Sequence, residues 1–203
     1  RVKRQPRGTS SNSRRLVGFK AEKIRQVKAN LLSKGYINNM KTAICPGSFD
    51  PVTLGHLDII ERAADIFDNV IVLVLSNGTK KTSLFSLEER TDLLKRCIQK
   101  KNITIDTYNG LLVEYAKQKN AVAIVKGLRA VSDFDWEFQQ SLTNKSLNPD
   151  VETVFLTAKG ENMFLSSSMV KEVCSLGGDI SSFVPPQIAE DIYKRCKGDI
   201  KND

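Results

Sequence analysis

The chain holds one histidine, His56, at the end of Pro46-Gly47-Ser48-Phe49-Asp50-Pro51-Val52-Thr53-Leu54-Gly55-His56. An apolar run at 42–45 precedes this string, and a helical pattern over 55–67 overlaps its end. The expected local structure is a strand, a glycine-bearing turn and a helix start. Such a junction aims unpaired backbone N–H groups and the positive end of a helix dipole at one place, which suits a phosphate. An imidazole in the first turn would address the same anion. A helix N-terminus disfavours the protonated ring, so His56 is expected to be neutral and to donate through one N–H. The plain alternative is a turn made by Gly47 and Pro51 with His56 on a helix surface.

Further groups suited to anions recur after apolar runs. Ser76-Asn77-Gly78-Thr79-Lys80-Lys81 follows the second run, and Tyr108-Asn109-Gly110-Leu111-Leu112 the third. Lys126-Gly127-Leu128-Arg129 follows the fourth, and 158–164 leads from the fifth to Ser166-Ser167-Ser168. Taken singly these are weak, because loop lysines are solvated and serines ahead of helices are caps. Their convergence at one rim would make them a site. Several chemistries are excluded. Neither a Gly-x-x-x-x-Gly-Lys-Ser/Thr nor a Gly-x-Gly-x-x-Gly string occurs. A single histidine without a marked partner gives no Ser-His-Asp set. Cys45, Cys97, Cys174 and Cys196 are scattered, so reduced thiols are expected and a metal site is not.

The elements that must position these groups alternate. Strands are expected at 42–45, 70–75, 103–107, 122–125 and 153–156, several as continuous Val/Ile/Leu runs typical of strands covered on both faces. Helices are expected at 55–67, 87–100, 111–119, 132–147, 166–176 and 186–196, the second opened by a Ser86/Glu89 capping box. Asn148-Pro149 stops the fourth, and Gly177-Gly178 the fifth. This alternation predicts an α/β fold, a doubly wound five-stranded parallel sheet of Rossmann-like type, with ligands beyond the carboxyl ends of the strands.

Charge is unevenly spread. Residues 1–39 carry eleven of the 31 lysines and arginines but only Glu22 among the 23 acids, so 40–203 holds 20 basic and 22 acidic residues. The net +8 therefore belongs to the leader, and a nucleic-acid role for the body has no compositional support. Residues 1–39 read as a basic leader: disordered, of vector origin, an upstream translated stretch, or a targeting or nucleic-acid arm. Residues 40–203, opening on Met40, read as one domain. No apolar run approaches the ~20 residues of a membrane span.

With Thr53 where superfamily relatives carry a first histidine, the 46–56 string resembles bacterial phosphopantetheine adenylyltransferases of the nucleotidyltransferase superfamily. Lys126–Glu137, reading Lys-Gly-Leu-Arg-Ala-Val-Ser-Asp-Phe-Asp-Trp-Glu, is similar to the family's Arg-Gly-Leu-Arg segment, and Phe164–Lys171 to the superfamily's second signature. The resemblance covers 40–197. It implies adenylyl transfer from ATP to 4′-phosphopantetheine, giving dephospho-coenzyme A and pyrophosphate. Carried over by position, Ser48 lies between the reacting phosphates and Phe49 offers its amide to ATP. His56 and Arg129 hold the ATP phosphates, with Gly127, Leu128, Glu137 and Asn162, Met163, Phe164, Leu165, Ser166, Ser167 and Ser168 around the nucleotide. Lys80 takes the acceptor's phosphate, Leu112 lines the pantetheine arm, and Lys126 is a substrate contact. Mg²⁺ arrives with ATP, the assembly is a homohexamer, and the location is cytoplasmic. Two departures stand out: Lys126 replaces a common Arg, and Asn162 a common aromatic. The rivals are another nucleotidyltransferase, acting on nicotinamide mononucleotide or glycerol phosphate, a non-catalytic nucleotide sensor, and an RNA-binding protein resting on 1–39.

Overall fold

The computed structural model describes residues 40–75 and 83–199, together with residue 26. The basic leader expected at 1–39 (residue 26 apart) and the loop carrying Lys80 lie outside the described residues. The chain divides into two units, Arg1–Met40 and Lys41–Asp203, and every element below belongs to the second.

Five strands form one parallel sheet: β1 (Thr42–Gly47), β2 (Asn69–Leu75), β3 (Ile103–Tyr108), β4 (Ala123–Leu128) and β5 (Glu152–Thr157), in the order β3-β2-β1-β4-β5. Side chains alternate across a strand, and here both faces are apolar. Ala43 and Cys45 of β1, Val70, Val72 and Val74 of β2, and Ala123 and Val125 of β4 enter one core. Ile44, Ile71, Leu73 and Ile124 enter the other. That is why these strands read as unbroken apolar runs rather than an alternating pattern. β4 and β5 run past the expected ends at 125 and 156, because Lys126, Gly127 and Leu128 pair with Phe155, Leu156 and Thr157.

Six helices follow: α1 (Leu54–Ile66), α2 (Leu87–Cys97), α3 (Leu112–Gln118), α4 (Val131–Leu147), α5 (Ser167–Ser175) and α6 (Pro186–Asp199), with a short 3₁₀ turn at Gly160–Asn162. The expected capping box opens α2: Glu89 N–H donates to Ser86 Oγ at 3.2 Å, and Ser86 N–H to Glu89 Oε2 at 2.7 Å. Leu111 gives α3 no side-chain cap, and the helix is shorter than the expected 111–119. None of α4's described side chains is buried. The sheet order reverses between β1 and β4, so a crevice opens at their carboxyl ends.

Candidate active site

A cavity of about 580 Å³ occupies that crevice. It is built on the β1–α1 turn, where Gly47 is followed by Phe49 at φ 49°. A Cβ on residue 47 would lie 2.8 Å from Phe49 Cζ, so the ring folds back over the strand end only because residue 47 is glycine. Gly127 does the same on β4, where a Cβ would sit 2.9 Å from Ile59 Cγ1 of α1.

Thr53 is the N-cap of α1, fully buried, and His56 occupies the place of the usual capping-box carboxylate. Thr53 Oγ1 accepts from His56 N–H at 3.3 Å, while His56 Nδ1 accepts from Thr53 N–H at 3.1 Å. A backbone N–H can only donate, so Nδ1 is the unprotonated nitrogen and Nε2 carries the hydrogen. The ring lines the cavity and packs edge-on against Phe49, with centroids 5.2 Å apart. Burial first, and the Arg129 charge second, push its pKa down to about 4. A neutral donor is thus present as the sequence suggests, with desolvation as the leading cause.

On the β4 side, Arg129 is held from two directions. Its Nε and Nη2 donate to Asp133 Oδ2 and Oδ1 at 2.9 and 3.2 Å, and Nη1 donates to the Leu165 carbonyl at 2.9 Å. Of five guanidinium N–H groups, two remain for an anion. Lys126 Nζ lies 3.0 Å from Glu137 Oε2, an ion pair without hydrogen-bond alignment. Lys126 and Arg129 are therefore both charge-compensated before any substrate enters. Three serines follow. Ser166 Oγ accepts from Met169 N–H as the N-cap of α5, and Ser167 Oγ donates to the Pro51 carbonyl at 2.8 Å. The first turn of α5, with Ser168, borders the cavity, so two helix N-termini converge there.

Three residues the sequence reading passed over position the rest. Asp50, 6 % exposed, accepts from Leu84 N–H and Phe85 N–H and pairs with Lys171 of α5 at 3.1 Å. It ties the β1–α1 turn to two distant segments. Arg90, 4 % exposed, donates to the carbonyls of Ser48, Leu75 and Ser86 at 2.8, 3.3 and 3.3 Å. Asp58, buried on α1, pairs with Arg62 and with Lys159 beyond β5. Of these only the Asp58–Arg62 spacing, one helical turn, is a local signal.

The structure brings Ser48, Phe49, His56, Lys126, Gly127, Arg129, Glu137, Asn162, Leu165, Ser166, Ser167 and Ser168 around one cavity, and Trp136, 63 % exposed, joins them. Leu128, Leu112, Met163 and Phe164 are not among its walls. Leu112 packs on the second core, and Phe164 meets Phe183 edge-on at 5.7 Å. Lys80 falls outside the described residues. Cys45 also borders the cavity, but burial raises its pKa to about 12, so it remains a thiol and not a nucleophile. A second hollow, about 620 Å³, lies between α2 and α6; its Arg96 pairs with Asp92 and Asp191, and its Arg195 with Glu89.

The cytidylyltransferase-like family model matches residues 44–173. A phosphopantetheine adenylyltransferase of Caldanaerobacter subterraneus subsp. tengcongensis is 54 % identical over 159 residues, covering 78 % of this chain and 99 % of that protein. One of Dictyoglomus turgidum is 55 % identical over 159 residues, with the same coverage. Among solved structures, Plasmodium falciparum nicotinic acid mononucleotide adenylyltransferase superposes with a TM-score of 0.57 over 77 % of this chain and 96 % of that one, at 16 % identity. That last likeness shows the fold alone.

Proposed function

Because the chain belongs to the phosphopantetheine adenylyltransferase family, we propose that it joins ATP to 4′-phosphopantetheine, giving dephospho-coenzyme A and pyrophosphate. A phosphate oxygen of the acceptor attacks the α-phosphorus, the bond to the β-bridging oxygen breaks opposite it, and pyrophosphate leaves. The attacking group is already an anion, so no strong base is needed, and His56, its Nδ1 occupied, is not set up as one. What must be supplied is alignment of two polyanions and donors for charge on the α-phosphate and the leaving group. Alignment can contribute about 7–11 kcal/mol and one well-aimed donor about 3–4 kcal/mol, so positioning dominates.

The observation that carries this reading is the fixed tautomer of His56, a cavity-lining residue whose Nδ1 is taken by Thr53 N–H and whose Nε2–H is left as the ring's donor. His56 and the two remaining N–H groups of Arg129 bind the ATP phosphates. Phe49 offers its amide, and Gly127, Leu128, Glu137 and residues 162–168 enclose the nucleotide, Leu128, Met163 and Phe164 only from outside the cavity. Ser48 stands between the reacting phosphates. Lys80, Leu112 and Lys126 serve the acceptor. Mg²⁺ would arrive with ATP and would add charge neutralisation on its phosphates. A homohexamer is supported by α4, which turns Val131, Phe134, Trp136, Phe138, Leu142 and Leu147 to the surface. Light scattering reads its six chains per particle. A cytoplasmic location is supported by four buried cysteines, none of them in a disulfide. Among the described residues no helix is long and apolar enough to cross a membrane.

Pyrophosphate release tests the reading. With ATP it is expected for 4′-phosphopantetheine and not for nicotinamide mononucleotide, nor for glycerol phosphate with CTP. Release with either of those, and none with phosphopantetheine, would transfer the site to a different acceptor class.

A further inference from the structure

Arg90 is not a wall of the cavity but sits behind its Ser48 turn, and it differs from the other cations near the site. Lys126, Arg129 and Lys171 each face a carboxylate, Glu137, Asp133 and Asp50 respectively. Arg90 is the most buried of the set and, among the described residues, has no carboxylate within 4.0 Å. Its partners are three backbone carbonyls. Carbonyl dipoles take three of its five N–H groups but leave a whole positive charge in a low-dielectric place, and a guanidinium cannot shed it by deprotonation. Such a charge is tolerated best where an anion will come to rest near it.

Its place in the fold says which anion. Ser48 follows β1 and Leu75 ends β2, so Arg90 joins the carboxyl ends of these two strands from beneath. Arg129 and the nucleotide-side walls follow β4 and β5 on the other flank of β1, where Lys126 of β4 is the acceptor contact that faces them. We propose that Arg90 is a positioning residue for the acceptor half of the reaction. It holds the Ser48 turn against the end of β2, and its buried charge makes that place selective for a phosphorylated acceptor. This rests on the reading of the cavity as an ATP–phosphopantetheine site. Arg90 touches neither substrate. It acts through the carbonyls it fixes and through a field that little solvent screens.

The test uses the intact protein and two acceptors, 4′-phosphopantetheine and pantetheine, whose dissociation constants are measured by calorimetry beside that of ATP. Arg90→Gln keeps a donor and removes the charge; Arg90→Lys keeps the charge and loses the planar fork. In Arg90→Gln the preference for the phosphorylated acceptor is expected to fall at least ~10-fold, the scale of one nearby charge at an effective dielectric constant of about 20. Pantetheine and ATP affinities should stay within about twofold, and Arg90→Lys should keep most of the preference. Equal loss for both acceptors, or loss of ATP affinity alongside, would reduce Arg90 to a structural staple and overturn the proposal. So would an unchanged preference in Arg90→Gln. If the wild-type protein itself shows no preference for the phosphorylated acceptor, the functional reading fails together with the proposal. Should Arg90→Gln not fold, Arg90→Lys alone decides: a lost preference in that folded variant overturns the role given to the charge.

Discussion

The two flanks of β1 handle charge in opposite ways. On the β4 side, the partly exposed Arg129 and the more buried Lys126 each face an acid of α4, Asp133 and Glu137, one helical turn apart. On the β2 side, Arg90 is buried and, among the described residues, is bound by carbonyls without a carboxylate. A charge that shares its donors with a carboxylate can admit a mobile triphosphate and release it, because the acid takes over as the anion leaves. A charge without an acid favours whichever anion sits beside it and is not neutralised between turnovers. His56 stands at the seam, neutral, and adds a donor without adding charge to either flank.

The largest effect is expected at the seam. His56→Ala should lower kcat at least ~100-fold in steady-state assays, the scale of a lost donor to developing charge. It should do so whichever substrate is limiting; a defect confined to one KM would move His56 off the seam. Asp50→Ala comes next. Removing one partner of a buried pair costs about 3–5 kcal/mol, and Lys171's partial exposure brings this to about 2–3 kcal/mol in urea unfolding. The change should exceed that of Lys171→Met, since Asp50 also holds two backbone N–H groups. Arg129→Ala should raise the KM for ATP by roughly 10–100-fold, the worth of charge-assisted hydrogen bonds, and leave the acceptor's KM nearly unchanged. A matched loss for both substrates would erase the contrast between the flanks. The smallest effect is spectroscopic. With one histidine in the chain, its proton NMR titration needs no assignment, and the midpoint is expected near 4. The unfolded chain binds a proton near pH 6.5 that the folded one refuses until about 4. His56 therefore makes stability fall as pH drops through that window, an effect His56→Gln removes. A midpoint near 6.5 would contradict the buried, acceptor-bound ring.

The strands were legible because Val70-Ile71-Val72-Leu73-Val74 has no polar face to hide, and the 46–56 string because its chemistry is local. Capping by Ser86 was legible for the same reason, since its partner is three residues away. Long-range partners were not. Asp50 meets Lys171 across 121 residues, and Arg90 reaches Ser48 across 42; no periodicity encodes either. The Arg129–Asp133 pair, four residues apart, did carry a spacing signal. It shows that a lysine- and arginine-rich rim is not the same as a net positive one. Thr53 illustrates a mixed case: its departure from the superfamily pattern was visible, but its grip on His56 Nδ1 needed the cap geometry.

The proposed transfer passes directly between two aligned anions, with neither a base nor a covalent enzyme intermediate. Adenosine 5′-(α-thio)triphosphate of one configuration at the α-phosphorus separates this route from a two-step one. A single in-line displacement inverts that centre in the dephospho-coenzyme A formed. Retention would mean two displacements and an adenylyl-enzyme, for which the walls of the cavity would have to supply a nucleophile that neither His56 nor Cys45 is set up to be.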